Sequence, residues 1–145
     1  MLAEAVRAQA ALPPFDNAAM DGYALRSDGR AIAAGSVWPI AGRVVAGDAP
    51  PQAPAAAWEI MTGAALPPGA DSVVPYERTE RLDTARMRVL EDLEPARHIR
   101  RAGSDLQPGD PIATAGTPVD ATLRMLLAAA GIGQVQVRRA PRVAI

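Results

Sequence analysis

Between residues 28 and 91 the apolar positions come in short runs broken by Gly and Pro. The runs are 37–46 (VWPIAGRVVA), 57–62 (AWEIMT), 71–77 (DSVVPYE) and 86–91 (RMRVLE). Each is rich in Val, Ile or aromatic residues and bounded by turn formers, which predicts β-strands. Their spacing predicts a small β-barrel or a folded, bifurcated sheet rather than a βαβ unit. Pro39 and Pro75 cannot donate to a ladder, so their strands are expected at edges or bulges. The period changes near the end of the chain. Leu123, Leu126, Leu127 and Ala130 recur at helical spacing, which predicts a helix over 121–130 with one apolar face. Asp120 is placed to cap its start and Gly131 to close its end in the left-handed conformation. Residues 134–139 (QVQVRR) then alternate as a strand does. Residues 2–11 are Ala-rich and helical by propensity, yet the following prolines leave little room for a long helix. Residues 95–112 read as a polar, Arg-rich loop ending in the turn signal Gln107-Pro108-Gly109-Asp110. The fold class expected is mainly β with one clear α-helix, joined to an α+β connector.

One segment fits neither period. In 13–24 (PPFDNAAMDGYA) two carboxylates stand five residues apart among turn-forming pairs. The two prolines favour an extended entry. Such a loop presents carboxylates instead of building a core. Asp16 and Asp21 could hold Mg²⁺, work as acid and base if their pKa values were pushed apart, or cap turns. The residues alone leave these open. A second segment, Ile60-Met61-Thr62-Gly63-Ala64, continues into Leu66-Pro67-Pro68-Gly69-Ala70-Asp71. It is a strand leading into a turn, where the Thr62 hydroxyl could hold an oxyanion while Gly63 lets a ligand approach the backbone. The third is His98-Ile99-Arg100-Arg101-Ala102-Gly103-Ser104-Asp105. Guanidinium beside exposed backbone N–H groups suits an oxyanion, though a solvated basic turn has the same composition. His98 is expected to be a surface or loop residue without a role, and Trp58 to serve packing.

Composition narrows the chemistry. Of the apolar 49%, 32 residues are Ala, and the aromatics are only Phe15, Tyr23, Trp38, Trp58 and Tyr76, so burial falls to Val, Ile, Leu and Met. The formal charge of −1 gives no electrostatic case for nucleic acid or an anionic membrane. Every basic residue is Arg, which removes Schiff-base chemistry and a P-loop lysine. There is no Cys and one His, so thiolate nucleophiles, disulfides and multi-His metal sites drop out. No apolar run reaches membrane-spanning length, and the start lacks signal-peptide features. A cytoplasmic protein is the expectation.

Segment 13–24 resembles, nearly letter for letter, the PPFDNSAMDGYA signature of the molybdopterin molybdenumtransferases, the MoeA and gephyrin E-domain family. Residues 60–74 resemble that family's IMTGAPVPxGxDAVV block, with Leu66 where Val or Met is more usual. Arg100, Gly103 and Asp105 match its RxxGxD block, with Ser104 where the family usually has Glu. The three blocks follow the family's order. The resemblance implies Asp21, Thr62 and Asp105 as catalytic residues and Arg100, Gly63 and Gly103 as substrate-binding ones. Asp21 and Asp105 would be the ligands of a divalent cation, Mg²⁺. Asp16 and Asn17 would be structural, satisfying loop backbone groups. The implied reaction inserts molybdenum from molybdate into adenylylated molybdopterin and releases AMP. The resemblance assigns 7–109 to a second domain carrying one wall of the cleft, 1–6 and 110–141 to parts of a discontinuous first domain, and 142–145 to the start of a third. It implies that 2–11 is an extended arm. Val143-Ala144-Ile145 reads as the opening of a buried strand, so a longer parent is expected. That parent would be a homodimer, and the piece in hand would fold without catalysing. The rival expectation is a non-catalytic scaffold of gephyrin type.

Overall fold

The computed structural model describes residues 1–49, 51 and 57–140. In chain order the strands are β1 (Val6–Arg7), β2 (Asn17–Ala18), β3 (Gly22–Leu25), β4 (Val37–Val44), β5 (Ala57–Ile60), β6 (Ser72–Pro75), β7 (Thr79–Arg81), β8 (Arg86–Val89), β9 (Ile99–Arg100) and β10 (Pro111–Ala113). A 3₁₀ turn, Tyr76–Arg78, follows β6, and the one α-helix among the described residues, α1, is Ala121–Ala129. The chain divides into two compact units, Phe15–Arg101 and Met1–Pro14 with Ala102–Ile145. The mainly β character with a single helix is as expected. The expected surface loop at 49–57, for the most part, and the expected strand start at 142–145 lie outside the described residues.

In the unit Phe15–Arg101 six strands form one sheet in the order β6-β3-β5-β4-β8-β7, and β2 pairs separately with β9. All these pairs are antiparallel except β4 with β5. The interior strand β3 and its neighbour β6 are buried along their whole length, as strands covered on both faces must be. One side packs Tyr23, Leu25, Ile32, Val74, Met87 and Val89. The other packs Ala18, Ala24, Val44, Ile60 and Val73. Pro75 ends the edge strand β6, as its missing N–H requires. Pro39 sits in an interior strand instead. It pairs with Arg86 on one side and precedes the point where β5 joins, next to a register shift between Ile40 and Gly42. The ladder therefore never asks it for a donor on the β5 side.

In the other unit, Leu123 and Leu127 of α1 and Ala130 at its C-cap pack against Leu2 and Ile132. Asp120 accepts the Leu123 N–H at 2.8 Å and caps the helix. At the other end Gly131 takes φ 72°, the Ile132 N–H reaches the Leu127 carbonyl and the Gly131 N–H the Ala128 carbonyl. That pair of bonds is a Schellman closure, with Ile132 packed on the last turn. The arm 2–11 is not helical. Leu2 is fully buried, and β1 pairs with β10. The alternating stretch 134–139 does not form a strand: it makes one isolated bridge, Val137 to Leu2. Alternation gives it a face, but among the described residues no second strand runs beside it.

Candidate functional site

The antiparallel pair β3–β5 sets Gly22 opposite Ile60. Asp21, just before β3, and Thr62, just after β5, therefore meet at one end of the sheet. Thr62 closes on Asp21 with both its donors: the amide N–H at 2.6 Å and the Oγ1 hydroxyl at 2.7 Å, both to Oδ1. These bonds hold the Asp21 carboxyl below the usual carboxylate range, because each favours the charged form. Both residues are exposed, and Asp21 Oδ2 accepts no hydrogen bond among the described residues. The site therefore offers one ionised oxygen outward and anchors the other.

The turn carrying Thr62 is built by backbone exchange. The Gly63 N–H donates to the Ala18 carbonyl at 2.9 Å, and the Ala18 N–H returns a bond to the Ala64 carbonyl at 3.1 Å. Gly63 holds φ 81°, where a side chain would be strained, and its missing Cβ would meet nothing within 4 Å. On its other side β2 pairs with β9, Asn17 opposite Arg100, and Ala19 N–H donates to the His98 carbonyl. Segment 16–19 thus lies between 63–66 and 98–100. Two stretches that are far apart in sequence flank it.

This geometry alters the expected role of Thr62. Its hydroxyl proton and the N–H groups of 62 and 63 are spent on Asp21 and Ala18, so they do not form an oxyanion cradle here. Gly63 contributes open approach instead. Arg100 is exposed on β9. Asn17 does satisfy a loop backbone group, donating Nδ2–H to the Phe15 carbonyl at 3.2 Å. Asp16 is taken up by Arg101 at 2.5 Å, a partner that no local pattern announces. His98 lies in a turn, as one half of the expectation had it, and is half-buried. It adopts φ 57°, its Nε2 is buried without a partner, and burial followed by Arg97 and Arg78 pushes its pKa down.

Gly103 and Asp105 belong to the other unit. Gly103 is buried at φ 71° and is enclosed by Gln107, whose Nε2 donates to its carbonyl at 3.0 Å. Asp105 is exposed, its N–H bonded to the Leu12 carbonyl at 2.9 Å. Its Oδ1 receives the Ser104 hydroxyl at 3.2 Å, so Ser104, set aside by motif reasoning, touches a candidate site residue.

Glu59 and Tyr76 also escaped the sequence reading. Glu59 accepts the Tyr76 hydroxyl at 2.8 Å and Arg81 at 3.2 Å, with Arg43 at 3.9 Å. The signal available was a carboxylate inside the apolar run AWEIMT.

Among the described residues no three His, Asp or Glu side chains stand close enough to hold a metal ion together. Mg²⁺ usually takes one or two carboxylates and fills its shell with water and ligand oxygens. The outward oxygen of Asp21 fits that mode and no closed protein cage.

Comparisons with known proteins agree with the motifs. Residues 1–131 match the family model for the MoeA N-terminal region, domains I and II. The molybdopterin molybdenumtransferase of Synechococcus elongatus is 37% identical over 94% of this chain, which covers 35% of that protein. Molybdopterin molybdenumtransferase 1 of Mycobacterium tuberculosis is 36% identical over the whole chain, covering 38% of that protein. The crystal structure of a molybdopterin biosynthesis MoeA protein from Pyrococcus horikoshii superposes with a TM-score of 0.83 at 30% identity, over 93% of this chain and 36% of that one. The chain thus spans little more than a third of the length of these relatives. It belongs to the MoeA N-terminal region family.

Proposed function

We propose that this chain is the N-terminal portion of a molybdopterin molybdenumtransferase. In this reading the parent enzyme takes adenylylated molybdopterin and molybdate, inserts molybdenum into the pterin dithiolene and releases AMP. The observation that carries the reading is the Asp21 carboxylate, anchored on Oδ1 by both Thr62 donors and open on Oδ2. Hydrolysis of the adenylyl phosphoanhydride needs a water aimed at phosphorus; a P–O bond to that water forms as the P–O bond to the leaving phosphate breaks, and an ionised, fixed carboxylate can orient the water and accept its proton. Thr62 positions Asp21, and Gly63 leaves room beside it. Arg100 is assigned to the anionic groups of the substrates, which guanidinium recognises well. Asp105 and Gly103 receive their roles from their place in the third motif block. Mg²⁺, when bound, would be held by the Asp21 carboxylate and would neutralise phosphate charge. The unit Phe15–Arg101 corresponds to the core of the second domain, assigned by the motifs to 7–109. The flanking segments correspond to parts of the first, and 142–145 to the start of a third. A homodimeric, cytoplasmic parent completes the proposal. By this account the chain alone folds but does not turn over.

The test is hydrolysis of adenylylated molybdopterin by the parent protein with Asp21→Asn. Asn keeps the size and one acceptor but removes the charge, so AMP release should fall at least about 100-fold, the scale of a lost acid–base group. Unchanged turnover would overturn the assignment and favour a binding scaffold.

A further inference from the structure

We infer that Tyr76 and Glu59 are positioning residues that fix Asp21 against Thr62. The contacts close a ring. The Tyr76 main-chain N–H donates to the Asp21 carbonyl at 3.2 Å. The Tyr76 hydroxyl donates to Glu59 Oε1 at 2.8 Å. Glu59 lies on β5, three residues before Thr62, and Thr62 returns to Asp21 through its two bonds. The main chain of Asp21 is thereby tied to the strand that holds its side chain. Two further contacts stiffen the ring. Tyr76 packs edge-on against Tyr23, with centroids 5.4 Å apart and planes at 88°. Tyr23 itself pairs with Glu59 across β3–β5. Arg81 occupies the second oxygen of Glu59 at 3.2 Å, and Arg43 stands 3.9 Å from the first. Glu59 is therefore held by charge on one side and presents a fixed acceptor on the other.

The brace uses a donor that keeps its proton. Burial and the Glu59 bond push the Tyr76 phenol well above its ordinary range, so it remains a donor at any working pH. No atom of Tyr76 or Glu59 is assigned contact with substrate. Both act through Asp21.

This inference rests on Asp21 being the working carboxylate, but its test does not need turnover. Tyr76→Phe keeps the ring on Tyr23 and removes only the hydroxyl. Hydrogen exchange of this chain would then follow the Thr62 amide, which donates to Asp21. Thr62 exchange should quicken about fivefold, the net worth of one hydrogen bond. Glu59→Gln, which retains an acceptor for the phenol, should keep part of the wild-type protection where Glu59→Ala does not. Thr62 exchange identical to wild type in Tyr76→Phe would overturn the inference, even if the melting temperature fell. The hydrolysis assay with Asp21→Asn is independent of these readouts, so failure of the enzymatic reading would be seen separately.

Discussion

Gly22→Ala tests how the Asp21 site is supported. Gly22 does not have the left-handed φ that marks nine other glycines, so conformation is not why it is Gly. Its place is set by crowding. A Cβ there would lie 2.0 Å from the Val74 carbonyl oxygen, 2.8 Å from its carbon and 2.9 Å from Pro75 Cα. All three are backbone atoms of β6, which cannot swing aside as a side chain would. Reaching ordinary contact means parting β3 and β6 by about 1.4 Å. A shift of that size lengthens a 3.2 Å bond such as Tyr76 N–H to the Asp21 carbonyl beyond any useful geometry. Overpacking costs about 1–3 kcal/mol and each lost bond about 1 kcal/mol. The reduced freedom of Ala in the unfolded chain offsets about 0.5–1 kcal/mol. The net expectation is a loss of roughly 3 kcal/mol, or about 10 °C in melting temperature for a chain of this size. Urea unfolding of this chain measures it directly. Gly42→Ala is the internal comparison, because the added Cβ would meet only the Trp58 ring at 2.7 Å, and an indole can tilt. A Gly22→Ala variant within about 0.5 kcal/mol of wild type, or no worse than Gly42→Ala, would refute the reasoning.

Other outcomes follow from single contacts. Ser72 is fully buried, and its Oγ receives the Ala96 N–H at 3.0 Å, at a residue held at φ 59°. Ser72→Ala leaves that donor unsatisfied and should cost about 2 kcal/mol in urea unfolding; a change under about 0.5 kcal/mol would show that water replaces the hydroxyl. His98 should impose a pH dependence. Its pKa is lowered in the fold from 6.5, so the unfolded chain binds the proton first. Stability is then complete above the unfolded value and is lost as pH falls through the folded one. His98→Asn, a residue that tolerates positive φ, should flatten the stability profile between about pH 5 and 7. An unchanged profile would assign the slope to other groups.

Much of this fold was legible because strands announce themselves by composition. The observed β4, β5, β6 and β8 fall inside the predicted runs, trimmed where each meets a turn. The helix was legible at both ends, since Asp120 and Gly131 each have one use there. Partnership was not legible. QVQVRR alternates well, but a strand exists only beside another, and only Val137 finds a bridge. Pro39 lies beside a register shift in its own strand, one of the two places expected for it, but which of the two, edge or bulge, left no local mark. In the site, motifs named Asp21 and Thr62 without revealing that one holds the other. The Asp16–Arg101 pair and the Glu59–Tyr76 bond link residues 85 and 17 positions apart. The inward turn of His98 follows from a backbone φ that its own sequence does not require.

The Asp16–Arg101 ion pair has a topological consequence. The unit Phe15–Arg101 interrupts the other unit in sequence, and its first and last residues are joined by that pair and by the β2–β9 ladder. To the interrupted unit, the whole insert is a short, pre-closed stem rather than a long floppy loop. The closure entropy that would otherwise grow with the insert's length is met inside the insert itself. Growth or loss of residues in the insert's turns leaves the stem, and so the interrupted unit, untouched. That is the architecture of a module that can be lengthened, exchanged or lifted out whole.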